Sequence, residues 1–179
     1  MKRDVNSNGY IFLYSTVLVV IVAVLLTAAA LWLQPYQQRN KENEKRMMIL
    51  SAAGITDGQI TLLEGTLPIY LVNDSISVIP MEGKGLWGPI WGYFAIAPDG
   101  STIIGANFDH KSETPGLGGE ITTEKFQSQF SGKRFMSNGR MVPVDVDAIT
   151  GATKTSNGVK EMIDHNLKMY APYFEKTEP

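Results

Sequence analysis

GYFAIAPDGSTIIGANF, residues 92–108, sets two apolar runs on either side of a turn-forming triplet. The runs Gly92–Ala97 and Thr102–Phe108 hold the aromatic and β-branched residues that favour strands. Between them, Pro98-Asp99-Gly100 is typical of a tight hairpin turn. Because strands joined by a tight turn pair antiparallel, this stretch predicts an antiparallel sheet.

Shorter strand patterns lie on both sides of this hairpin. Each is an apolar run that ends at turn-forming residues. Residues 54–65 are weakly patterned and predict a loop. The additional predicted strands are Leu67–Val72 and Ser75–Ile79 around Asn73-Asp74, and Gly132–Met136 and Met141–Val146 around Ser137-Asn138-Gly139.

Two helices complete the predicted domain. Thr122 or Thr123 caps a short helix that runs through Phe130. A longer helix starts near Thr155 or Ser156, and Pro172 perturbs or ends it. Its apolar residues recur at helical spacing and form one face. The fold class is therefore α+β, an antiparallel sheet with packed helices. That apolar face comprises Val159, Met162, Ile163, Leu167, Tyr170 and Phe174.

An uncharged apolar segment precedes this domain. Ile11–Leu33 reads IFLYSTVLVVIVAVLLTAAALWL. At about 1.5 Å per residue, such a helix spans a hydrocarbon core of roughly 30 Å. A cleaved signal is the alternative, since Lys2 and Arg3 precede the segment and Ala28–Ala30 mimic a cleavage site. The run exceeds the roughly 7–15 residues of a signal core, so we expect a transmembrane anchor.

The net charge and the absence of cysteine limit the partners and covalent links that the domain can have. The net charge of −2 does not indicate nucleic-acid binding, and the lack of Cys excludes disulfides and a lipidated thiol. The charged stretch 34–54 predicts a juxtamembrane helix that ends near Gly54, with a solvated spacer as the alternative. The predicted organisation is residues 1–10 as a cytoplasmic N-terminus, 11–33 as a transmembrane helix, 34–54 as the juxtamembrane helix, and 55–179 as one domain.

A hydroxyl-rich run lies directly before the last predicted helix. Residues 147–156 read DAITGATKTS. Hydroxyls and backbone amides at a helix start suit a phosphate group, and we expect the amides of Thr155 to Gly158 to contact it. Thr153 has no activating base at an evident spacing, so it is predicted to be an acceptor rather than a nucleophile. Another enzyme would transfer a group to the Thr153 hydroxyl. Asp147 is expected to orient that hydroxyl or to bind a metal during this transfer. The alternative is an ordinary polar turn with an N-cap Thr or Ser.

The ordered string D-x-x-T-G-A-T within this run resembles the flavin-attachment motif of the FMN-binding domains of respiratory flavoproteins. In that motif the last Thr, here Thr153, holds FMN through a phosphoester bond. Gly151 and Ala152 are small, which leaves room for a bulky group. The resemblance implies covalent FMN on Thr153, transferred from FAD by a separate flavin transferase.

A glycine-rich loop extends this resemblance to most of the chain. Residues 113–120, ETPGLGGE, are not the G-x-G-x-x-G of a Rossmann fold. They are similar to a loop in the C subunit of the sodium-translocating NADH:quinone reductases. Ile49–Gly54 (ILSAAG) and Gly83–Gly88 (GKGLWG) resemble further segments of that family, in the same order. One N-terminal span followed by an FMN-binding domain is also the family architecture.

The resemblance implies roles for individual residues. Glu113, Thr114, Leu117 and Gly118 are expected to line the flavin, and Trp87 to lie near its edge. Lys154 and Thr155 are expected to approach the phosphate. No catalytic residue and no metal site are predicted in the protein itself.

The family resemblance also implies a location and partners for the protein. The chain would cross a bacterial inner membrane once, with the domain on the periplasmic side. Its partners would be the other subunits of a complex that exports Na⁺. The G subunit of an Rnf complex is the nearest alternative, and an anchored FMN sensor or a binding module without flavin is the next. The stretches from Gly54 to Leu67 and from Phe135 to Asp147 are shorter than the family leads us to expect.

Other polar residues carry weaker predictions. His110 and His165 are the only histidines, so a zinc site held by protein ligands is not expected. We predict a solvent-exposed loop position for His110 and a solvent-facing position for His165. Asp145 and Asp147 alternate on a predicted strand and are expected to share one face.

Overall fold

The computed structural model describes residues 8–137 and 139–175. The chain divides into two compact units, Met1–Glu44 and Lys45–Pro179. The second unit contains the end of the first helix and all of the sheet and helices that follow it.

The first helix, α1, runs unbroken over Asn8–Ala52 and includes Pro35. The sequence predicted two helices that meet near this proline. A single proline removes only one backbone hydrogen bond, and the polar run after it favours helix, so the helix continues. It ends before Gly54, which has the left-handed φ of 72° typical of a helix terminus. Helix α1 is long and apolar enough to cross a membrane by length and composition.

A five-stranded antiparallel sheet forms the centre of the second unit, with its strands in sequence order. This confirms the predicted fold class. Asn73 and Asp74 both have positive φ, 50° and 55°, as a tight turn between two strands requires. The strands are β1 Ile60–Leu63, β2 Ile69–Val72, β3 Ile76–Lys84, β4 Pro89–Ile96 and β5 Ile103–His110.

The prediction of a loop over residues 54–65 is wrong, because β1 lies within it. This edge strand pairs with β2 through Ile60 opposite Val72. Two of its four residues are exposed and two are half-buried, and the run ITLL shows no alternation that would indicate a strand.

The predicted strands after residue 132 are largely absent from the described chain. Only β6 Met136–Ser137 and β7 Arg140–Met141 pair there, and residue 138 of the predicted turn lies outside the described residues. The segment from Val142 to Ala148 forms no strand, although the Val142 amide donates to Phe135 O at 2.9 Å. Its Val144 side chain enters the core, and the Asp147 amide donates to Gln129 Oε1 at 2.7 Å. Asp145 and Asp147 therefore do not share a strand face.

The helices after the sheet also differ in detail from the prediction. Residues 118–130 form two 3-10 helices, Gly118–Thr122 and Ser128–Phe130, around one α-helical turn, α2 Glu124–Gln127. The last helix, α3, spans Thr153–Phe174. It starts two residues before Thr155 and continues past Pro172, where buried Phe174 packs edge-on against Phe135.

Two apolar clusters cover the faces of the sheet. On one face the predicted apolar residues of α3 pack with a group of aromatic rings that includes Phe94, Phe108 and Phe130. On the other face Ile49, Leu50 and Ala52 of α1 pack on strands β2 to β4. The first cluster fixes α3 across β3, which places its N-terminus beside the loop after β3.

Candidate functional site

The run 147–156 folds as a turn that leads directly into α3. The Ala152 amide donates to Ile149 O at 3.0 Å, and the Ile149 amide donates to Ser156 Oγ at 3.0 Å. Gly151 has a φ of 79°, a conformation that disfavours any residue with a Cβ. The turn is therefore closed by its own groups, and it makes Thr153 the first residue of the helix.

Thr153 and Lys154 are both exposed at this helix start. The N-cap residue is Ala152, so no side chain caps the helix within the described chain. The amide of Ser156 already bonds to Ala152 O at 2.9 Å, and the amides of residues 153–155 precede that first helical bond. The amides predicted to face a phosphate were those of Thr155 to Gly158, and this is wrong for residues 156–158, which lie inside the helix.

Glu113 lies behind this helix start and is only 4% exposed. The Thr155 hydroxyl donates to Glu113 Oε2 at 2.6 Å, and the Trp87 amide donates to Oε1 at 2.8 Å. Burial alone would raise the pKa of Glu113, but the hydrogen bonds from Thr155, Trp87 and Gly88 and the nearby His110 hold that pKa below its usual value. The hydrogen bonds therefore favour the ionised carboxylate, and both of its oxygens are bonded.

Two glycines give this carboxylate its space. A Cβ on Gly85 would lie 2.5 Å from Glu113 Oε1, and a Cβ on Gly118 would lie 2.5 Å from Oε2. The latter would also lie 2.6 Å from Thr155 Oγ1. The glycines of GKGLWG and ETPGLGGE thus surround a buried carboxylate, and this is the physical reason for glycine at these two positions.

The glycine-rich loop is fixed by short-range bonds. His110 Nδ1 accepts the Glu113 amide at 3.2 Å, and Thr114 O accepts the amides of Leu117 at 3.1 Å and Gly119 at 2.9 Å. His110 lies at the end of β5 and is partly buried, so the prediction of an exposed loop histidine is wrong. Thr114 and Leu117 remain at the surface.

Exposed apolar side chains lie close to the turn before Thr153. Leu117 is 42% exposed and packs beside Gly151, where a Cβ would lie 3.0 Å from Leu117 Cδ2. Trp87 is 67% exposed, and its backbone is bonded to the carboxylate that also holds Thr155. These contacts bring together the run 147–156, the ETPGLGGE loop and the GKGLWG loop, which are far apart in the chain.

The predicted residues thus divide into two groups. The surface group comprises Trp87, Thr114, Leu117, Gly151, Thr153 and Lys154, and the buried group comprises Glu113, Gly118, Ala152 and Thr155. The Thr155 hydroxyl was expected to approach the phosphate, but it is used by Glu113 inside the protein. Only its backbone amide lies at the helix start.

A cleft of about 490 Å³ lies along residues 147–150, the first part of the run 147–156, and was not predicted from the sequence. Asp147, Ala148, Ile149 and Thr150 form one wall, and Glu120 to Gln129 form the other. It arises because the segment before the turn crosses α2, a contact between residues distant in the chain. Elsewhere, Asp145 forms an exposed ion pair with Lys160 at 3.0 Å, and His165 is exposed as predicted.

Several known proteins resemble this chain in sequence. Residues 85–168 match the FMN-binding domain. The C subunit of the Na(+)-translocating NADH-quinone reductase of Pasteurella multocida (strain Pm70) is 36% identical over 60% of this chain and 49% of its own length. The C subunit of the same reductase of Vibrio alginolyticus is 32% identical over 79% of this chain and 62% of its own length. The chain thus spans about half to three fifths of the length of these relatives.

A solved structure of a C subunit of this reductase also resembles the chain. The crystal structure of the C subunit of the Na(+)-translocating NADH-quinone reductase from Parabacteroides distasonis ATCC 8503 superposes with a TM-score of 0.69 at 29% identity. The match covers 79% of this chain and 96% of that one. The resemblance found in the sequence is therefore confirmed: the chain is similar to the C subunits of the Na(+)-translocating NADH-quinone reductases, and its residues 85–168 match an FMN-binding domain.

Proposed function

We propose that this protein is a membrane-anchored electron-carrying subunit of a Na⁺-translocating NADH:quinone reductase, with FMN bound covalently to Thr153. The observation that carries the proposal is the exposed Thr153 hydroxyl at a helix start whose first amides precede the helical ladder. Those amides and the positive end of the helix dipole favour a bound phosphate. The match to an FMN-binding domain and the relatives named as the C subunit of the reductase support the identity of the group.

The residues present fit a flavin that is tethered by its phosphate. Thr153 supplies the tether, and exposed Lys154 adds a positive charge next to it. Gly151 lets the Leu117 side chain pack against the turn, and Leu117 and Trp87 offer exposed apolar area for a flat ring. FMN, when bound, supplies the electron-transfer chemistry, and the protein holds it, orients it and sets its surroundings.

Attachment is a phosphoryl transfer that another enzyme carries out with FAD. A bond forms between Thr153 Oγ and the phosphorus of the FMN half, the pyrophosphate bond of FAD breaks, and AMP leaves together with the hydroxyl proton. The protein contributes an accessible acceptor, since no side chain within residues 8–137 and 139–175 bonds to the Thr153 hydroxyl to activate it. Asp147, exposed at the start of the run, is available to the transferase for orienting the hydroxyl or holding a metal.

The anchor explains why a covalent link is useful. Helix α1 carries exposed apolar side chains along its first half, as a single membrane pass requires. We propose that the domain faces the periplasm of a bacterial inner membrane, where lost FMN would not be replaced, and that α1 packs against partner subunits. A reporter that is active only outside the cytoplasm, fused after the last residue, is expected to be active. Activity of a cytoplasmic reporter instead would contradict this orientation.

Covalent attachment is tested directly by fluorescence on a denaturing gel. The full chain, co-expressed with a flavin transferase, is expected to give a fluorescent band and an intact-mass increase of FMN less water. Thr153→Ala should abolish both, whereas Thr66→Ala, an exposed threonine outside the attachment motif, should retain both. A wild-type chain without the band, beside a transferase shown to modify a known substrate, would contradict the proposal.

The alternative respiratory function is the G subunit of an Rnf-type complex, which carries the same attachment motif. The relatives named as the C subunit favour the reductase. Co-purification with quinone-reductase subunits from the native membrane is the expected result, and co-purification with ferredoxin-oxidising subunits would favour the alternative.

A further inference from the structure

We propose that Glu113 is a positioning residue for the tethered flavin, because it ties the helix turn that carries Thr153 to the loop that carries Trp87. The inference rests on the proposed attachment at Thr153. It differs from the expectation that Glu113 lines the flavin itself. In the structure its side chain is buried, and it acts through Thr155 and Trp87.

The first step is the geometry of the two threonines. Thr153 and Thr155 are two residues apart on α3, so their side chains point in different directions. Thr153 is exposed, whereas Thr155 is 1% exposed and donates to Glu113 Oε2 at 2.6 Å. The acceptor thus faces outward from a helix turn whose inner face is held by Glu113.

The second step is the other oxygen of the carboxylate. Glu113 Oε1 accepts the Trp87 amide at 2.8 Å, while the Trp87 side chain stays at the surface. One carboxylate therefore sets the distance between the tether of the phosphate and an exposed aromatic ring. A flavin fixed at Thr153 meets Trp87 in a defined arrangement only while both bonds hold.

The third step is the environment of Glu113. Gly85 and Gly118 closely surround the carboxylate, and His110 Nδ1 fixes its backbone amide. Glu113 is only 4% exposed, so its carboxylate presents almost no surface to a ligand. A buried charge is a costly way to obtain stability alone, so its two specific bonds point to a role in fixing geometry.

The test compares buried-hydroxyl variants in the full chain in detergent. Thr155→Val removes the donor to Oε2 and keeps the shape, and Thr155→Ser keeps the hydroxyl. Ser101→Ala is the control, because Ser101 is also fully buried and its hydroxyl accepts from Arg134 at 2.9 Å, away from this site. Glu113→Gln serves if Thr155→Val fails to fold.

The first readout is hydrogen exchange of the peptide that contains Trp87, measured on the flavin-free Thr153→Ala background. Thr155→Val should speed this exchange about tenfold, the scale expected when a buried bond is lost. Thr155→Ser and Ser101→Ala should leave it unchanged. The second readout is the emission anisotropy of flavin attached to wild-type Thr153, which should fall in Thr155→Val and stay constant in the other two.

Unchanged exchange and unchanged anisotropy in Thr155→Val, beside a loss of melting temperature equal to that of Ser101→Ala, would overturn the positioning role. Faster exchange without a change in anisotropy would also overturn it, since the loop would then be held without consequence for the flavin. The exchange experiment needs no flavin. A wild-type chain that takes up no flavin would contradict the proposed attachment at Thr153. It would not affect the exchange result, which tests the Glu113 contact separately.

Discussion

Two turns in this protein have similar residues and different organisation. The turn between β4 and β5 and the turn before α3 both combine hydroxyl side chains with a glycine of positive φ, 68° at Gly100 and 79° at Gly151. In the first, Asp99 accepts the amides of Ser101 and Thr102, both at 2.9 Å, and the Thr102 hydroxyl at 2.6 Å. In the second, the helix start has Ala152 as its cap and leaves Thr153 exposed.

This difference separates a structural turn from the turn proposed to bind the flavin phosphate, here called the binding turn. The hairpin turn satisfies the amides of Ser101 and Thr102 through Asp99, and the amide of Gly100 through Ala97 O. The turn before α3 is supported from behind, by Ser156 at Ile149 and by Glu113 at Thr155, and its outer face stays free for a phosphate. The position of the support therefore matters more than the number of hydroxyls.

The largest effect on stability is expected from removing space behind the binding turn. In Gly118→Ala the new Cβ would meet both Glu113 Oε2 and Thr155 Oγ1, two groups that are bonded to each other. We expect a loss of about 3 kcal/mol in the free energy of unfolding, at the upper end for overpacked sites. Urea unfolding of the flavin-free chain measures this. Gly65→Ala is the control, since the nearest atom to its Cβ would be Leu67 O at 3.7 Å, and equal losses in both would refute the crowding argument.

A smaller loss is expected in the hairpin turn. Asp99→Ala leaves the amides of Ser101 and Thr102 without their acceptor and should cost about 1 kcal/mol, because the turn is exposed and water replaces part of the bonding. Flavin attachment should be unaffected. The matched variant is Asp147→Ala, whose side chain is exposed and whose loss should change the free energy of unfolding by less than about 0.5 kcal/mol. A larger stability loss in Asp147→Ala than in Asp99→Ala would reverse the comparison.

Acid is expected to weaken both turns through these carboxylates. Partial burial alone would raise the pKa of Asp99, but hydrogen bonds from Thr102 and Ser101 lower it from 3.8 to about 2, and the pKa of Glu113 is lowered from 4.5. A lowered folded pKa means that the unfolded chain binds the proton first. Their stabilisation is present above pH 4.5 and is lost as the pH falls through the folded values.

Urea midpoints measured at falling pH test this dependence. The wild type should lose stability below pH 4.5, and Glu113→Gln and Asp99→Asn should each show a shallower decline. Parallel declines in all three proteins would show that other carboxylates carry the effect.

The sequence predicted the central sheet from local patterns, and the proposal of Thr153 as the acceptor also rests on a local pattern. The alternation around Pro98-Asp99-Gly100 and the order of D-x-x-T-G-A-T are readable over a few residues. The role of Glu113 was not readable, since its partners Trp87 and Thr155 lie 26 and 42 residues away. Strand β1 was missed for the same reason, because pairing with β2 rather than its own pattern makes it a strand.

The start of α3 was misplaced by two residues, and this error concerns the difference between the two turns. The sequence predicted a helix start near Thr155 or Ser156, but the structure uses both hydroxyls elsewhere and leaves the cap to Ala152. The smallest predicted effect follows from reversing this choice. Ala152→Ser provides an oxygen for the open amides and should stabilise the flavin-free chain by about 0.5 kcal/mol, at the low end for an N-cap. The same oxygen competes with the phosphate, so the rise of flavin fluorescence with transferase and FAD should slow. Ala148→Ser, an exposed position outside the helix, is the control. If Ala152→Ser stabilises the chain but attachment keeps its wild-type rate, the amides of residues 153–155 are not what holds the phosphate, and the open helix start loses its proposed function.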